Sequence, residues 1–211
     1  MTTLRICFVG DSLMLGTNDE EYLGWPGRLA HREHQAGHDV TIYNLGIRAE
    51  TSEMISRRWQ AEAGPRLLDI HPGALVFAFG SNDMALENGT IRIPLETSCT
   101  IAREMMSAAK AWKPVIWIGP PPVDDSRQPF QTAPDIKYDF SCARAAEYSD
   151  AYADIAKELD IPYLDLFTPL STETEWTTAF HGDDGVHPLH PGYAAIAERV
   201  AGWDAWRAWF D

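Results

Sequence analysis

Ser12 stands two residues after a glycine, in Phe8-Val9-Gly10-Asp11-Ser12-Leu13. The apolar residues 4–9, interrupted by Arg5, read as a short buried strand. A strand that ends in a tight glycine turn sets the serine just outside the carboxyl edge of a sheet. Open α/β sheets bind ligands at that edge. A hydroxyl there is a nucleophile if a base can reach it, and otherwise a plain helix cap. Gly-Asp-Ser alone decides nothing, because matches this short arise by accident. Three further stretches change the balance: Asn44-Leu45-Gly46, Gly80-Ser81-Asn82-Asp83 and Asp184-Gly185-Val186-His187-Pro188.

Acyl transfer needs a nucleophile, a base, a group that orients the base, and donors for the oxyanion. Ser12 is the candidate nucleophile. The backbone N–H groups of Ser12 and Gly46 and the side-chain amide of Asn82 are candidate oxyanion donors, and a glycine at 46 leaves room for a tetrahedral oxygen. Such a donor is typically worth about 2.7–4 kcal/mol in the transition state. Asp184 and His187 are three residues apart within one turn, so the carboxylate can hold Nδ1–H and aim Nε2 at Ser12. His181 and His190 compete for the role of base. His181 lies beyond Gly182, and His190 has His187 rather than a carboxylate three residues before it and faces solvent at a helix start. Asp11 and Asp83 read as braces that bond loop amides. His31, His34, His38 and His71 read as solvated, and Trp25-Pro26 as packing at the start of a helix.

These groups meet only if the elements between them bring their strand ends together. Residues 39–45, 74–79, 115–118 and 162–166 supply four more strands, and the run at 74–79 is the most apolar in the chain. Helices are expected from Gly24-Trp25-Pro26-Gly27 through about His34, from a cap at Thr51 or Ser52 through Trp59, over 94–112 and 140–159, and from Pro191 onward. Five strands alternating with helices imply an α/β protein with a parallel sheet covered on both faces. Residues 81–92 read as a polar loop. Residues 119–138 carry five prolines and read as a long surface excursion, a feature that is often functional. Residues 168–185 read as irregular. Trp203, Trp206, Trp209 and Phe210 recur at helical spacing and read as packing.

Taken together, the four blocks resemble the SGNH, or GDSL-type, hydrolases. Gly10-Asp11-Ser12-Leu13 is similar to the family's first block with its nucleophile. Asn44-Leu45-Gly46 is similar to the second with its glycine donor, and Gly80-Ser81-Asn82-Asp83 to the third with its asparagine donor. Asp184-Gly185-Val186-His187-Pro188 is similar to the last, with acid and base. The resemblance covers nearly the whole chain. It implies a three-layer α/β/α, flavodoxin-like fold and hydrolysis of a small ester or thioester without a cofactor. The Gly-x-Ser-x-Gly elbow of α/β-hydrolases is absent around Ser12.

The chain has 211 residues, which fits one domain spanning 1–211. Its net charge of −14 argues against nucleic acid and against an anionic membrane surface, leaving a small-molecule ester as the expected partner. No pattern sets an oligomeric state. No signal peptide is evident in the residues ahead of the first strand, and Cys7, Cys99 and Cys142 are odd in number and far apart. Both features fit reduced thiols in a cytoplasmic protein. Two other readings stay open. His181, Asp183, Asp184, His187 and His190 could build a metal-dependent hydrolase, though that leaves Ser12, Gly46 and Asn82 without a task. A flavodoxin-like domain could also bind a small ligand without catalysis.

Overall fold

The computed structural model describes residues 1–180 and 184–210. β1 (Thr3–Gly10) runs directly into a single helical turn, α1 (Ser12–Leu15), followed by α2 (Gly24–Gln35), β2 (Asp39–Gly46) and α3 (Ser52–Ala63). β3 (Gly73–Ala78) precedes a hairpin of β4 (Leu86–Glu87) and β5 (Thr90–Ile91), then α4 (Leu95–Trp112) and β6 (Val115–Ile118). A short 3-10 turn (Asp125–Arg127) leads to a second hairpin, β7 (Phe130–Ala133) and β8 (Ile136–Asp139), and to α5 (Cys142–Glu158). The chain continues through β9 (Tyr163–Leu164), α6 (Phe167–Leu170), α7 (Thr174–Thr178), α8 (His190–Ala201) and α9 (Asp204–Arg207).

The central sheet is parallel, in the order β2-β1-β3-β6-β9. Side chains alternate across it, as the two-residue period of a strand requires. Cys7, Val9, Leu75, Phe77 and Trp117 face one core, closed by Ile55 and Trp59 of α3, Met105 of α4 and Tyr152 of α5. Ile6, Phe8, Val76, Ile116 and Ile118 face the other, closed by Trp25 and Leu29 of α2, Tyr193 of α8 and Trp206 of α9. The result is the expected three-layer α/β/α sandwich with five parallel strands. Both faces are dry, which is why the strands read as near-continuous apolar runs.

Two segments differ from their reading as loops. Residues 81–92 and 119–138 together build a second, antiparallel sheet in the order β5-β4-β8-β7. Leu86 pairs with Asp139 and Glu87 with Tyr138, so the sheet joins the two hairpins. Strands of two to four residues are too short to print a period, so their pairing is a tertiary fact. α5 holds this sheet down. Arg144 donates from Nε to the Met84 carbonyl at 2.7 Å and from Nη2 to Asp139, and the Tyr148 hydroxyl donates to the Ile93 carbonyl at 2.6 Å. Residues 168–180 also hold more order than expected, with most of α6 and all of α7.

The start of α3 differs too. Neither Thr51 nor Ser52 caps it with its side chain; the Asp83 carboxylate accepts from Ser52 N at 2.7 Å instead. Ser98 Oγ of α4 donates to the other oxygen of the same carboxylate at 2.5 Å. Asp83 is fully buried, and a buried carboxylate survives only with such donors. It is thus the expected brace, and its reach extends across two helices.

The central layer predicts its own weak point. Phe77 is fully buried and meets Trp59 edge-on, with ring centroids 5.4 Å apart. Phe77→Ala is expected to cost about 3–5 kcal/mol in urea unfolding with an unchanged fold at low denaturant. A loss under about 1 kcal/mol would show that β3 is not the packed centre.

Candidate active site

β1 ends at Gly10, and Asp11 caps the turn that follows by accepting from Leu13 N at 2.9 Å. Capping therefore falls to Asp11, and the Ser12 hydroxyl is left for another partner. That partner is His187, whose Nε2 lies 2.7 Å from Ser12 Oγ across 175 residues of sequence. His187 Nδ1 lies 2.6 Å from Asp184 Oδ2. A carboxylate only accepts, so Nδ1 carries the proton. In the neutral ring Nε2 is then an acceptor, and the Ser12 hydroxyl donates to it. The arrangement is that of a serine poised to lose its proton to imidazole.

The turn around Asp184 is rigid for local reasons. Asp184 Oδ1 accepts from Val186 N at 2.8 Å and from His187 N at 2.9 Å. Gly185 sits at φ +69°, and a side chain there would meet the Asp124 carbonyl at 2.8 Å. The excursion grips the same turn from outside. Asp124 N donates to the Gly185 carbonyl at 2.7 Å, and Gln128 Nε2 donates to the Asp184 carbonyl at 2.6 Å. Burial pushes the Asp184 carboxyl upward, but its hydrogen bonds and the nearby imidazole outweigh this and hold it below the usual value.

On the other side of Ser12, the strand ends meet as the parallel order demands. Gly10 is in register with both Gly46 of β2 and Ala78 of β3. Asn82, nearly buried, donates from Nδ2 to Asp11 Oδ2 at 3.2 Å. Its Oδ1 accepts from Arg92 Nη1 at 3.0 Å. Gly46 has two further constraints. A side chain at 46 would lie 2.4 Å from Leu15 N and 2.7 Å from the Asp11 carbonyl, so packing of α1 on β2 requires the glycine. Its N–H also donates to Asn44 Oδ1 at 3.0 Å. For Gly46 to serve an oxyanion, that bond must be shared or released. The first amides of a helical turn lack intrahelical acceptors, which is the position of Ser12 N in α1.

Buried acid surrounds this cluster. Burial pushes Asp11 up to about 6, against the pull of Leu13 N–H, His187 and Asn82. Burial likewise raises Asp83. The Cys7 thiol is pushed up to about 12, the mark of an inert core thiol, and all three cysteines are free.

His181 and Asp183 lie outside the described residues. His190 opens α8, where its backbone N–H donates to Glu20 Oε2 at 2.8 Å and its half-exposed ring faces the same carboxylate. Among the described residues no cluster of three or more His, Cys, Asp or Glu could hold a metal, and no helix is long and apolar enough to cross a membrane. Sequence reasoning missed Arg92, Gln128 and Asp19. Asp19 accepts from Gly24 N at 2.6 Å and pairs with Arg28, which anchors the loop after α1. Nothing in the local pattern of these three distinguishes them from solvated loop residues.

A family model described as GDSL-like Lipase/Acylhydrolase matches residues 8–195. Among curated proteins, the GDSL esterase/lipase WDL1 of Oryza sativa subsp. japonica is 24% identical over 161 residues. That match spans 69% of this chain and 60% of the rice protein, so the chain covers less than two thirds of that relative's length. Among solved structures, the lipase/acylhydrolase from Enterococcus faecalis superposes with a TM-score of 0.74 at 24% identity, covering 95% of this chain and 94% of that one. Axe2, an acetylxylan esterase from Geobacillus stearothermophilus, superposes with a TM-score of 0.71 at 14% identity over 97% of each chain. Both likenesses establish a common fold.

The lowered Asp184 carboxyl gives a pH test. Folded Asp184 binds its proton less tightly than unfolded Asp184 does. Its contribution to stability is therefore present above about pH 4 and is lost as pH falls further. Asp184→Asn removes this dependence. The urea midpoint of the wild type is expected to fall more steeply than that of the variant from about pH 5 to about pH 3. Parallel curves would show that the carboxylate gains nothing from its partners.

Proposed function

The chain belongs to the GDSL-like lipase/acylhydrolase family, and we propose that it hydrolyses a small ester or thioester through an acyl-enzyme on Ser12. The observation that carries this reading is the unbroken line of hydrogen bonds, Asp184 to His187 to Ser12, at 2.6 and 2.7 Å. Ser12 Oγ attacks the acyl carbon while His187 Nε2 takes its proton. The carbonyl π electrons move onto oxygen, and Ser12 N–H and the Asn82 amide stabilise the oxyanion, joined by Gly46 N–H when Asn44 yields it. The intermediate collapses as the imidazolium returns its proton to the leaving alcohol or thiol. Water then repeats the sequence on the acyl-serine and releases the acid. Asp184 remains a carboxylate throughout, fixing the tautomer and stabilising the imidazolium.

The reading includes a preference for small, uncharged substrates with short acyl chains. A net charge of −14 disfavours approach to anionic lipid surfaces.

Ser12→Ala is expected to stay folded, to lose nearly all activity on p-nitrophenyl acetate, and to escape labelling by a fluorophosphonate. His187→Ala is expected to lose several orders of magnitude in kcat, while His190→Ala stays within about tenfold of wild type. Near-wild-type activity in the Ser12 variant would end the serine-hydrolase reading. A dead His190 variant beside a working His187 variant would move the base.

A further inference from the structure

Arg92 lies just past β5, on the sheet built from the two segments that read as loops. Its side chain is 8% exposed and every nitrogen has a partner. Nη1 donates to Asn82 Oδ1 at 3.0 Å, Nη2 donates to the Ala49 carbonyl at 2.8 Å, and Nε lies 3.4 Å from Glu87 Oε2. The guanidinium sits over the Tyr138 ring of β8, 5.2 Å from its centroid. The main chain is tied as well: Arg92 N donates to the Ala85 carbonyl at 3.0 Å and Ile93 N to the Asp83 carbonyl at 3.1 Å. A guanidinium held at this many points is a fixed group, and its Nη1 is aimed at the Asn82 amide oxygen.

An amide side chain has two ends that differ in chemistry and hardly at all in shape. At Asn82 both ends are specified. Arg92 can only donate, so it demands the oxygen. The Asp11 carboxylate accepts, so it demands the nitrogen. Rotating the amide by half a turn would set oxygen against a carboxylate and N–H against a guanidinium, and both contacts would repel. The nitrogen carries two hydrogens. One is held by Asp11, and the other is left to point away from it.

We infer that Arg92 is a positioning residue for the reaction: it locks the Asn82 amide with its NH2 end on the Ser12 side, and thereby keeps the oxyanion donor in its working orientation. The inference rests on the proposed role of Asn82 and extends it to the small sheet. That sheet carries the guanidinium, which follows β5 and sits over Tyr138 of β8. Preorganised donors act in the transition state because they need no reorientation when charge develops. A donor that must first rotate loses part of that benefit, and the loss appears in kcat rather than in KM.

The test is a double-mutant cycle on p-nitrophenyl acetate, with melting curves for each variant. Asn82→Ala is expected to lower kcat by about a hundred- to a thousandfold. Arg92→Ala is expected to lower kcat by about ten- to a hundredfold with KM within about threefold of wild type. In the Asn82→Ala background, Arg92→Ala should change kcat by less than about threefold, since its target is gone. Arg92→Lys keeps a positive charge at the end of a long stem but not the planar fork, and should give an intermediate kcat in a folded protein. It carries the test alone if the alanine variant fails to fold. A full Arg92 loss that persists without Asn82 would assign Arg92 to general stability and overturn the inference. So would a raised KM with kcat kept, which would make Arg92 a substrate contact. Wild-type kcat in Asn82→Ala would instead remove the oxyanion role of Asn82, and the inference with it. Wild-type kcat in Arg92→Ala alone would remove only the inference.

Discussion

In a parallel sheet every strand points the same way, so every strand releases its chain at the same edge. Here β1, β2 and β3 also end level, with Gly10 opposite Gly46 and Ala78. That one geometric fact crowds the polar residues after three apolar strands into a small volume beside two dry cores. Polar groups so placed lose water and must find partners in each other. Asp11 and Asp83 do so through backbone N–H groups, Asn82, Ser98 and the α3 start. The polar cluster is thus a product of the sheet, and its hydrogen bonds in turn cap the starts of α1 and α3 and tie α4 to them.

The base arrives differently. His187 comes from far along the chain and has no strand end to aim it. Its aim is built within four residues, by two backbone N–H groups on one Asp184 oxygen and the imidazole on the other. Because the acid and the ring belong to one turn, their geometry survives small movements of that turn as a body. Only the distance to Ser12 depends on tertiary packing, and Asp124 and Gln128 bear on the turn from outside.

This division explains what could be read from the chain before folding. The Asp184–His187 pair was legible because its contacts are local and set by spacing. Ser12 and Asn82 were legible because strand ends follow from apolar runs. The α/β layering followed from the same runs, with strand limits moved by a residue or so except at 162–166, where only Tyr163–Leu164 is strand. Arg92 and Gln128 were not legible, since each acts on a group distant in sequence and shows no motif of its own. The second sheet was hidden because strands of two to four residues are too short to show a period. The capping of α3 by Asp83 was hidden because a Thr-Ser pair stands at the site where a local cap would be. Gly46 was legible as a position but not as a cause, for its neighbour is the Leu15 backbone.

The antiparallel sheet joins one segment that carries Arg92 to another that carries Gln128, just ahead of β7. The first bears on Asn82 and the second on the turn of Asp184. Loops at the mouth of an α/β sheet are ordinarily the parts a lineage can exchange freely to meet new substrates. These two are not free. A change in length in either hairpin would disturb its partner strand, and through it the groups on both flanks of Ser12. Divergence in this chain is therefore expected to spare the length of the two hairpins, which no longer behave as exchangeable loops.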